Sequence, residues 1–450
     1  MHSIKKILPL FLLFFSFLLH GEEVVVSLRT NEAHPPVYIS PLQAESSSFP
    51  QEYLSKLNAI LSNDFALSGR ARLLKQTKER EKITLKEKSW KGFDQHRWIA
   101  EGAFGVIKGV VAGKHLSLSA LKVKTDQIRG IEGIELTGDL NIDRTKIHAL
   151  SDQLISALFD VKGIASSRIL YTVTKKTPGA PSHLWKTDVW ECDSDGANAK
   201  MITHSGHLCV TPSYIPSPSA TRAKAFLYVS YAIGQPKLFA GSLHNGKEKR
   251  ITYLPGNQIT PAISPKGDLI AFTGDASGNP ELYILPFSLE KGALEKPRLI
   301  FSSLTGAQGC PAFNPQGDKL TFVSNKDGKP RIYLMSIPKS GRGQPVMLTK
   351  KNSNNTSPSW SPDGSKLAYT AWNGGTREIW IYDFQTKKEW QLTSGKEHKE
   401  NPAWAPNSFH LVYNTSSQES SELYLVNLAD PTPIKISTGV GEKRFPSFSP

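Results

Sequence analysis

A five-residue pattern recurs six times along the chain: Pro, a small or polar residue, an aromatic or apolar residue, a variable residue, Pro. The copies begin at Pro212, Pro261, Pro311, Pro358, Pro402 and Pro446, 44 to 50 residues apart. That spacing is the period of propeller blades, and the sequence around each copy supplies the other strands of a blade. Three copies run into a glycine turn, at Lys266-Gly267-Asp268, Gln316-Gly317-Asp318 and Asp363-Gly364-Ser365, where glycine tolerates the positive φ of a tight hairpin. Short segments rich in β-branched and aromatic residues follow, at 269–273, 320–324, 367–371 and 411–415, and read as strands.

The next strand carries a polar-aliphatic-aromatic triplet: Lys237-Leu238-Phe239, Glu281-Leu282-Tyr283, Arg331-Ile332-Tyr333, Glu378-Ile379-Trp380 and Glu422-Leu423-Tyr424. Successive side chains of a strand point to opposite faces, so the aliphatic and aromatic members are expected to pack against the two neighbouring blades. Fourth strands are read at Arg250-Ile251-Thr252, Arg298-Leu299-Ile300, Met347-Leu348-Thr349, Gln391-Leu392-Thr393 and Lys435-Ile436-Ser437. The last Pro motif ends at Pro450 with no strands after it, while a second, third and fourth strand stand before the first motif, at 168–174, Asp188-Val189-Trp190 and Met201-Ile202-Thr203. This offset predicts a six-bladed β-propeller closed by the C-terminal strand, one blade drawing on both ends of the segment so that no sheet edge stays open.

The repeat is absent before Ser166, and at 450 residues the chain is long enough for a second core. Residues 24–28, 98–111 and 115–123 read as strands. Tyr53, Leu54, Leu57, Ile60, Leu61 and Phe65 recur at helical spacing. A second helix is expected over 144–159, with Asp143 as N-cap, Ile147, Leu150, Leu154 and Leu158 on one face, and Gly163 beyond its end. The fold class is therefore an N-terminal α/β domain followed by an all-β propeller, with a signal peptide over 1–21, the α/β domain over 22–165 and the propeller over 166–450.

The signal peptide is read from Lys5 and Lys6, the apolar run 7–19 and the polar residues from His20 onward, with cleavage expected near Gly21. The run is short of the roughly 20 residues that span a bilayer, and no cysteine ends it to mark a lipid anchor, so an exported, soluble, non-spanning protein is expected. Cys192, Cys209 and Cys310 are too few and too scattered for a disulfide framework or a zinc site. The net charge of +14 favours acidic surfaces. Much of it lies between Arg70 and Lys91, where the signs alternate, which describes a solvated face and not a nucleic-acid-binding stripe.

Propellers also carry enzymes, so motifs of chemistry bear on the function. Gly274-Asp275-Ala276-Ser277-Gly278 has the wrong spacing for a nucleophile elbow. Asp193-Ser194-Asp195-Gly196 opens like a calcium loop but lacks its later ligands, and reads as a hairpin turn. His148 has Asp152 one turn further on instead of a second histidine, and no Gly-rich phosphate loop occurs. No catalytic residue, cofactor or metal is expected, although carboxylate pairs that meet only in space leave a hydrolase or a carbohydrate-binding propeller as the alternative.

The run from Pro358 through Trp360, Pro362, Asp363 and Gly364 to Tyr369 resembles the Pro-Asp-Gly propeller repeat of the TolB family and of some peptidase propellers. Ser167 to Tyr171, Trp190 to Asn198 and Arg444 to Pro450 are similar to TolB proteins specifically, as is Ile60 to Arg70 in the N-terminal domain. The departures fall in loops: Ser217-Pro218 and Asn407-Ser408 stand where the family has Asp-Gly, and 177–182 looks inserted. The resemblance implies a monomeric, non-enzymatic periplasmic protein of the Tol-Pal system. It would bind the lipoprotein Pal, and further outer-membrane proteins, and communicate with TolA through its mature N-terminus in support of outer-membrane integrity and cell division. Carried onto matching positions, the partner contacts are Asn257, Thr260, Gln308, Cys310, Asn354, Asn355, Thr356, Lys399, Asn401 and Arg444, on loops at one mouth of the propeller. The N-terminal partner segment is Glu22, Glu23, Val24, Val25 and Val26.

Overall fold

A computed structural model describes residues 34–450, apart from 88, 176–184, 218–221 and 418–419. The signal peptide, the strand read at 24–28, the segment Glu22 to Val26 and the inserted stretch 177–182 lie outside the described residues.

The α/β region is built on one mixed sheet. Its strands are β1 (Pro36–Ile39), β2 (Gln43–Ser47), β3 (Arg72–Leu73), β4 (Gly105–Gly113), β5 (His115–Lys122) and β6 (Gln127–Glu135), in the order β3-β1-β4-β5-β6 with β2 also paired to β4. Helices α1 (Gln51–Leu67) and α4 (Leu140–Phe159) cover one face, packing Leu54, Leu57, Leu61, Phe65, Leu150 and Leu154 against Val37, Ile107 and Leu118. The other face is covered by α2 (Lys78–Lys86) and α3 (Gln95–Ala100), with Trp98 stacked on Tyr38 at 5.1 Å.

Two expectations for this region are corrected. Trp98 belongs to α3 and not to a strand. Asp94 caps that helix by accepting from the Arg97 amide at 3.3 Å, the Trp98 indole donates to Glu87 at 2.9 Å, and the strand begins only at Gly105. Helix α4 starts a turn earlier than expected, because Asp139 and not Asp143 is its N-cap, its carboxylate accepting from the Asn141 amide at 2.9 Å. Asp143 is buried inside the first turn. It accepts from the amides of Thr137 at 2.8 Å and Gly138 at 2.9 Å and from the Tyr53 hydroxyl, and so ties the entering loop to α1. Past the end of α4 the left-handed residue is Asp160, three positions before Gly163.

Six four- or five-stranded sheets follow. Blades 1 to 5 span 209–250, 258–301, 308–347, 356–391 and 398–435, each running from inner to outer strand in chain order. Blade 6 consists of Arg168–Lys175, Lys186–Asp193 and Lys200–Met201, with Glu442–Phe448 as its inner strand. That last strand pairs antiparallel with Arg168–Lys175, matching Lys443 to Val173, Arg444 to Thr172 and Phe448 to Ile169. The ring closes as the offset repeat predicts.

Packing between blades follows the triplet. Tyr283 sits with Leu227, Val229 and Leu238 of blade 1, and Leu282 with Leu320, Phe322 and Tyr333 of blade 3. Trp380 faces Ile332 of blade 3, while Ile379 faces Leu411 and Tyr413 of blade 5. The Asp193-to-Gly196 segment is the hairpin turn expected of it. Gly196 has φ 85, and a Cβ there would stand 1.6 Å from the Ile436 carbonyl oxygen, so only glycine fits.

Candidate functional site

Each inner strand begins with the residues that precede a Pro motif, and all six share one irregularity. The residue just before the proline is left-handed in every blade: Thr211 (φ 52), Thr260 (φ 48), Cys310 (φ 48), Ser357 (φ 51), Asn401 (φ 54) and Phe445 (φ 54). At the same place the register with the second strand slips, leaving a β-bulge in each sheet. A proline keeps the preceding residue out of the right-handed helical region, and each left-handed non-glycine residue costs about 1–2 kcal/mol. The ring geometry sustains that strain six times over, as bulged strands beside binding sites commonly do.

Side chains of this belt bond from blade to blade. Thr260 Oγ1 accepts from the Cys310 amide at 3.2 Å, and a backbone hydrogen bond from Ser357 reaches the Cys310 thiol. Ser357 Oγ donates to Asn401 Oδ1 at 2.9 Å. Asn401 Nδ2 donates to Asn414 Oδ1 at 3.0 Å, and the same oxygen accepts from the Phe445 amide at 3.2 Å. Burial pushes the Cys310 thiol up and Cys209 to about 11; these are thiols held neutral, far from the thiolate that nucleophilic or metal chemistry requires.

Two positions before the belt lies a row of buried polar residues, whose side chains turn back to the preceding blade or to the loop that joins it to their own. Gln308 donates to the Gly306 carbonyl at 2.7 Å, Asn355 to Thr349 Oγ1 at 2.7 Å, and Lys399 pairs with Glu378 at 3.0 Å. The ten expected contact residues thus fall into three groups. Gln308, Asn355 and Lys399 hold the loops from below. Thr260, Cys310 and Asn401 form the belt. Asn257, Asn354 and Thr356 are exposed and Arg444 is half-buried, the Asn257 amide donating to Asp275 at 2.7 Å and Arg444 lying 3.3 Å from Glu442.

Sequence reasoning missed the apolar part of this rim. Tyr253 (77 % exposed), Leu304 (fully exposed) and Val440 (89 % exposed) stand on three of the loops that lead into inner strands. They are the most exposed large hydrophobic side chains among the described residues. Their signal is a lone apolar residue among turn formers, as in Ser303-Leu304-Thr305-Gly306 and Gly439-Val440-Gly441, where no strand or helix pattern needs it. Apolar side chains exposed on the loops of one mouth offer contact area to another protein. The α/β region meets the propeller at the opposite end, through the turns at 193–196 and 407–409, so its described residues leave this mouth uncovered.

Residues 156–450 match the family profile described as the TolB beta propeller domain. The chain is 42% identical over 388 residues to the Protein TolB homolog of Protochlamydia amoebophila, covering 85% of this chain and 82% of that one. It is 37% identical over 392 residues to the homolog of Chlamydia abortus, covering 87% and 85%. Among solved structures, TolB from Acinetobacter baumannii superposes with a TM-score of 0.74 at 23% identity, over 92% of this chain and 96% of that one. Among the described residues no helix is long and apolar enough to cross a membrane.

Proposed function

The chain belongs to the TolB family, and on that premise we propose that it is a non-enzymatic, periplasmic protein-binding component of the Tol-Pal system, gripping the lipoprotein Pal at the propeller mouth. The observation that carries this reading is the rim: exposed Tyr253, Leu304 and Val440 stand on loops that lead into a belt already strained and hydrogen-bonded into shape. A preorganised belt loses little conformational freedom when a projecting element enters it, and the apolar side chains supply the anchoring contacts. Asn257, Asn354, Thr356 and Arg444 provide the polar fringe, while Gln308, Asn355 and Lys399 act by holding the loops. In this reading the α/β domain (22–165) and its leading segment Glu22 to Val26 relay the bound state to TolA, in support of outer-membrane integrity and cell division.

Replacing Tyr253 by Ala and Leu304 by Asp together is expected to weaken Pal binding by roughly 30-fold or more, since rim anchors contribute on the order of 1–2 kcal/mol each. The melting temperature should stay the same, because both side chains are exposed. Calorimetric titration with purified Pal measures the first and differential scanning calorimetry the second. Unchanged affinity would overturn the assignment of the mouth. Loss of TolA binding on deletion of residues 22–26, with Pal binding retained, would separate the two partner segments.

A further inference from the structure

Buried charge gathers where the α/β region meets blade 6, away from the mouth. Asp64 comes from α1, and Arg144, His148 and Ser151 from one face of α4. Asp193 and Asp195 come from the hairpin of blade 6, and Arg168 from the adjoining strand. His148 Nδ1 lies 2.9 Å from both oxygens of Asp64, and Ser151 Oγ donates to Asp64 at 2.6 Å. His148 Nε2 is buried without a hydrogen-bond partner and points toward Asp193 Oδ2 at 3.9 Å. Arg144 pairs with Asp195 and lies 3.6 Å from Asp193, while Arg168 holds the other Asp193 oxygen at 2.7 Å and reaches Glu191 at 3.4 Å. The side chains of His148 and Asp64 are 2 % and 1 % exposed.

The charges decide what His148 must be. Asp64, Glu191, Asp193 and Asp195 bring four negative charges, and Arg144, Arg168 and Lys200, the last 3.3 Å from Glu191, bring three positive ones, so the junction falls one positive charge short when His148 is neutral. Unbalanced charge out of water is costly. A metal ion would have to displace the Arg144 guanidinium, which already lies against both Asp193 and Asp195. A proton on His148 needs no such displacement, and it gives Nε2 a hydrogen to offer Asp193.

We propose that His148 is a protonation-dependent clamp, which with its proton bridges Asp64 of the α/β region to Asp193 of the propeller and without it lets the two parts loosen. Burial opposes charge on His148, but the hydrogen bond and charge of Asp64 and the charge of Asp195 outweigh it, with Arg144 opposing them, and the imidazole is raised above its usual value. Burial likewise holds Asp64 above the usual carboxylate range, partly offset by His148 and Ser151. Both directions mean that the folded junction binds protons more readily than the unfolded chain. The stabilisation contributed by His148 is therefore complete below about pH 6.5, the value of a free histidine, and is lost as pH rises through the higher folded value.

A second histidine at the same junction has the opposite sign. His410 Nε2 donates to the Leu67 carbonyl at 3.0 Å and Nδ1 accepts from Asn407 at 3.0 Å, while burial pulls the imidazole down to about 4. His410 stabilises as a neutral group, so its contribution declines as pH falls from about 6.5. Of these two histidines only His148 responds above neutrality.

The test uses the exported chain, with amide hydrogen exchange of α4 and of residues 193–196 followed from pH 6.5 to 9 and corrected for intrinsic exchange. Protection is expected to fall about tenfold across that range, one decade for each pH unit by which the folded value is raised. In His148→Gln it should be flat with pH. An equal fall in both proteins would overturn the clamp. Imidazole nitrogen NMR on the unmodified protein decides independently of whether the variant folds: His148 charged at pH 7 supports the proposal, and His148 neutral at pH 6.5 overturns it. Asp64→Asn should move that titration down by about one unit or more, since a neighbouring carboxylate raises a histidine by that order; an unmoved midpoint would also overturn it.

Discussion

A chain ending at Thr438 is expected to melt more than about 10 °C below the full-length protein, or to aggregate, because the deletion removes the whole inner strand of blade 6. Glu442–Phe448 is joined to Arg168–Lys175 by paired backbone and to the rest of the ring by buried side chains: Phe448 packs with Ile169, Val412 and Leu423, and Lys443 pairs with Glu422 at 3.2 Å. Loss of a buried Phe alone costs about 3–5 kcal/mol. The truncation adds an open strand edge beside Ile169 and Val173 and strips Glu422 of a buried partner. Scanning calorimetry with light scattering measures the effect, and a synthetic peptide of residues 439–450 should restore part of it. An unchanged melt would mean that the ring holds without its clasp.

Glu378→Ala is expected to destabilise the propeller by about 3–5 kcal/mol, the usual consequence of stranding one member of a buried ion pair. Glu378 accepts from Lys399 at 3.0 Å, Thr393 at 2.7 Å and Thr376 at 3.0 Å, and its side chain and that of Lys399 are 1 % and 6 % exposed. With the carboxylate gone, a buried ammonium group keeps its desolvation cost without its partner. Glu378→Leu combined with Lys399→Met should recover most of the loss, since an apolar pair of similar volume is often neutral or better. Urea unfolding followed by tryptophan fluorescence separates the three proteins. A loss below about 1 kcal/mol for Glu378→Ala would place the pair among the weak, solvent-screened kind. The result also bears on the mouth, because a binding defect in a Lys399 variant has to be separated from slackening of the loop between blades 4 and 5.

The propeller was legible because its repeat marks the inner strand with two prolines and the third strand with alternating faces, and because the unpaired last motif needed a partner at 168–174. The α/β region was harder. Residues 98–111 are apolar or glycine apart from Glu101 and Lys108, and periodicity alone does not divide such a run between helix and strand; Asp94, four positions before Trp98, was the cap that announced α3. Asp139 and Asp143 both precede apolar residues at helical spacing, and only the burial of Asp143 under the Thr137 and Gly138 amides shows which one starts α4. At the mouth, resemblance pointed to loops that lead into the inner strands. It could not tell Lys399 and Asn355, turned inward, from Thr356 and Asn354, turned outward, because successive residues of a bulged strand do not keep simple alternation. The left-handed belt carried no glycine to betray it.

Those six belt positions are Thr, Thr, Cys, Ser, Asn and Phe, with one backbone shape among five kinds of side chain. The same backbone shape is kept at Thr211 and Phe445 as at Thr260, Ser357 and Asn401, whose side chains bond across the belt, so no single residue type is required for it. A lineage can therefore rewrite the chemistry of the aperture one position at a time while its frame stays put, and a new guest can be accommodated without inventing a new host.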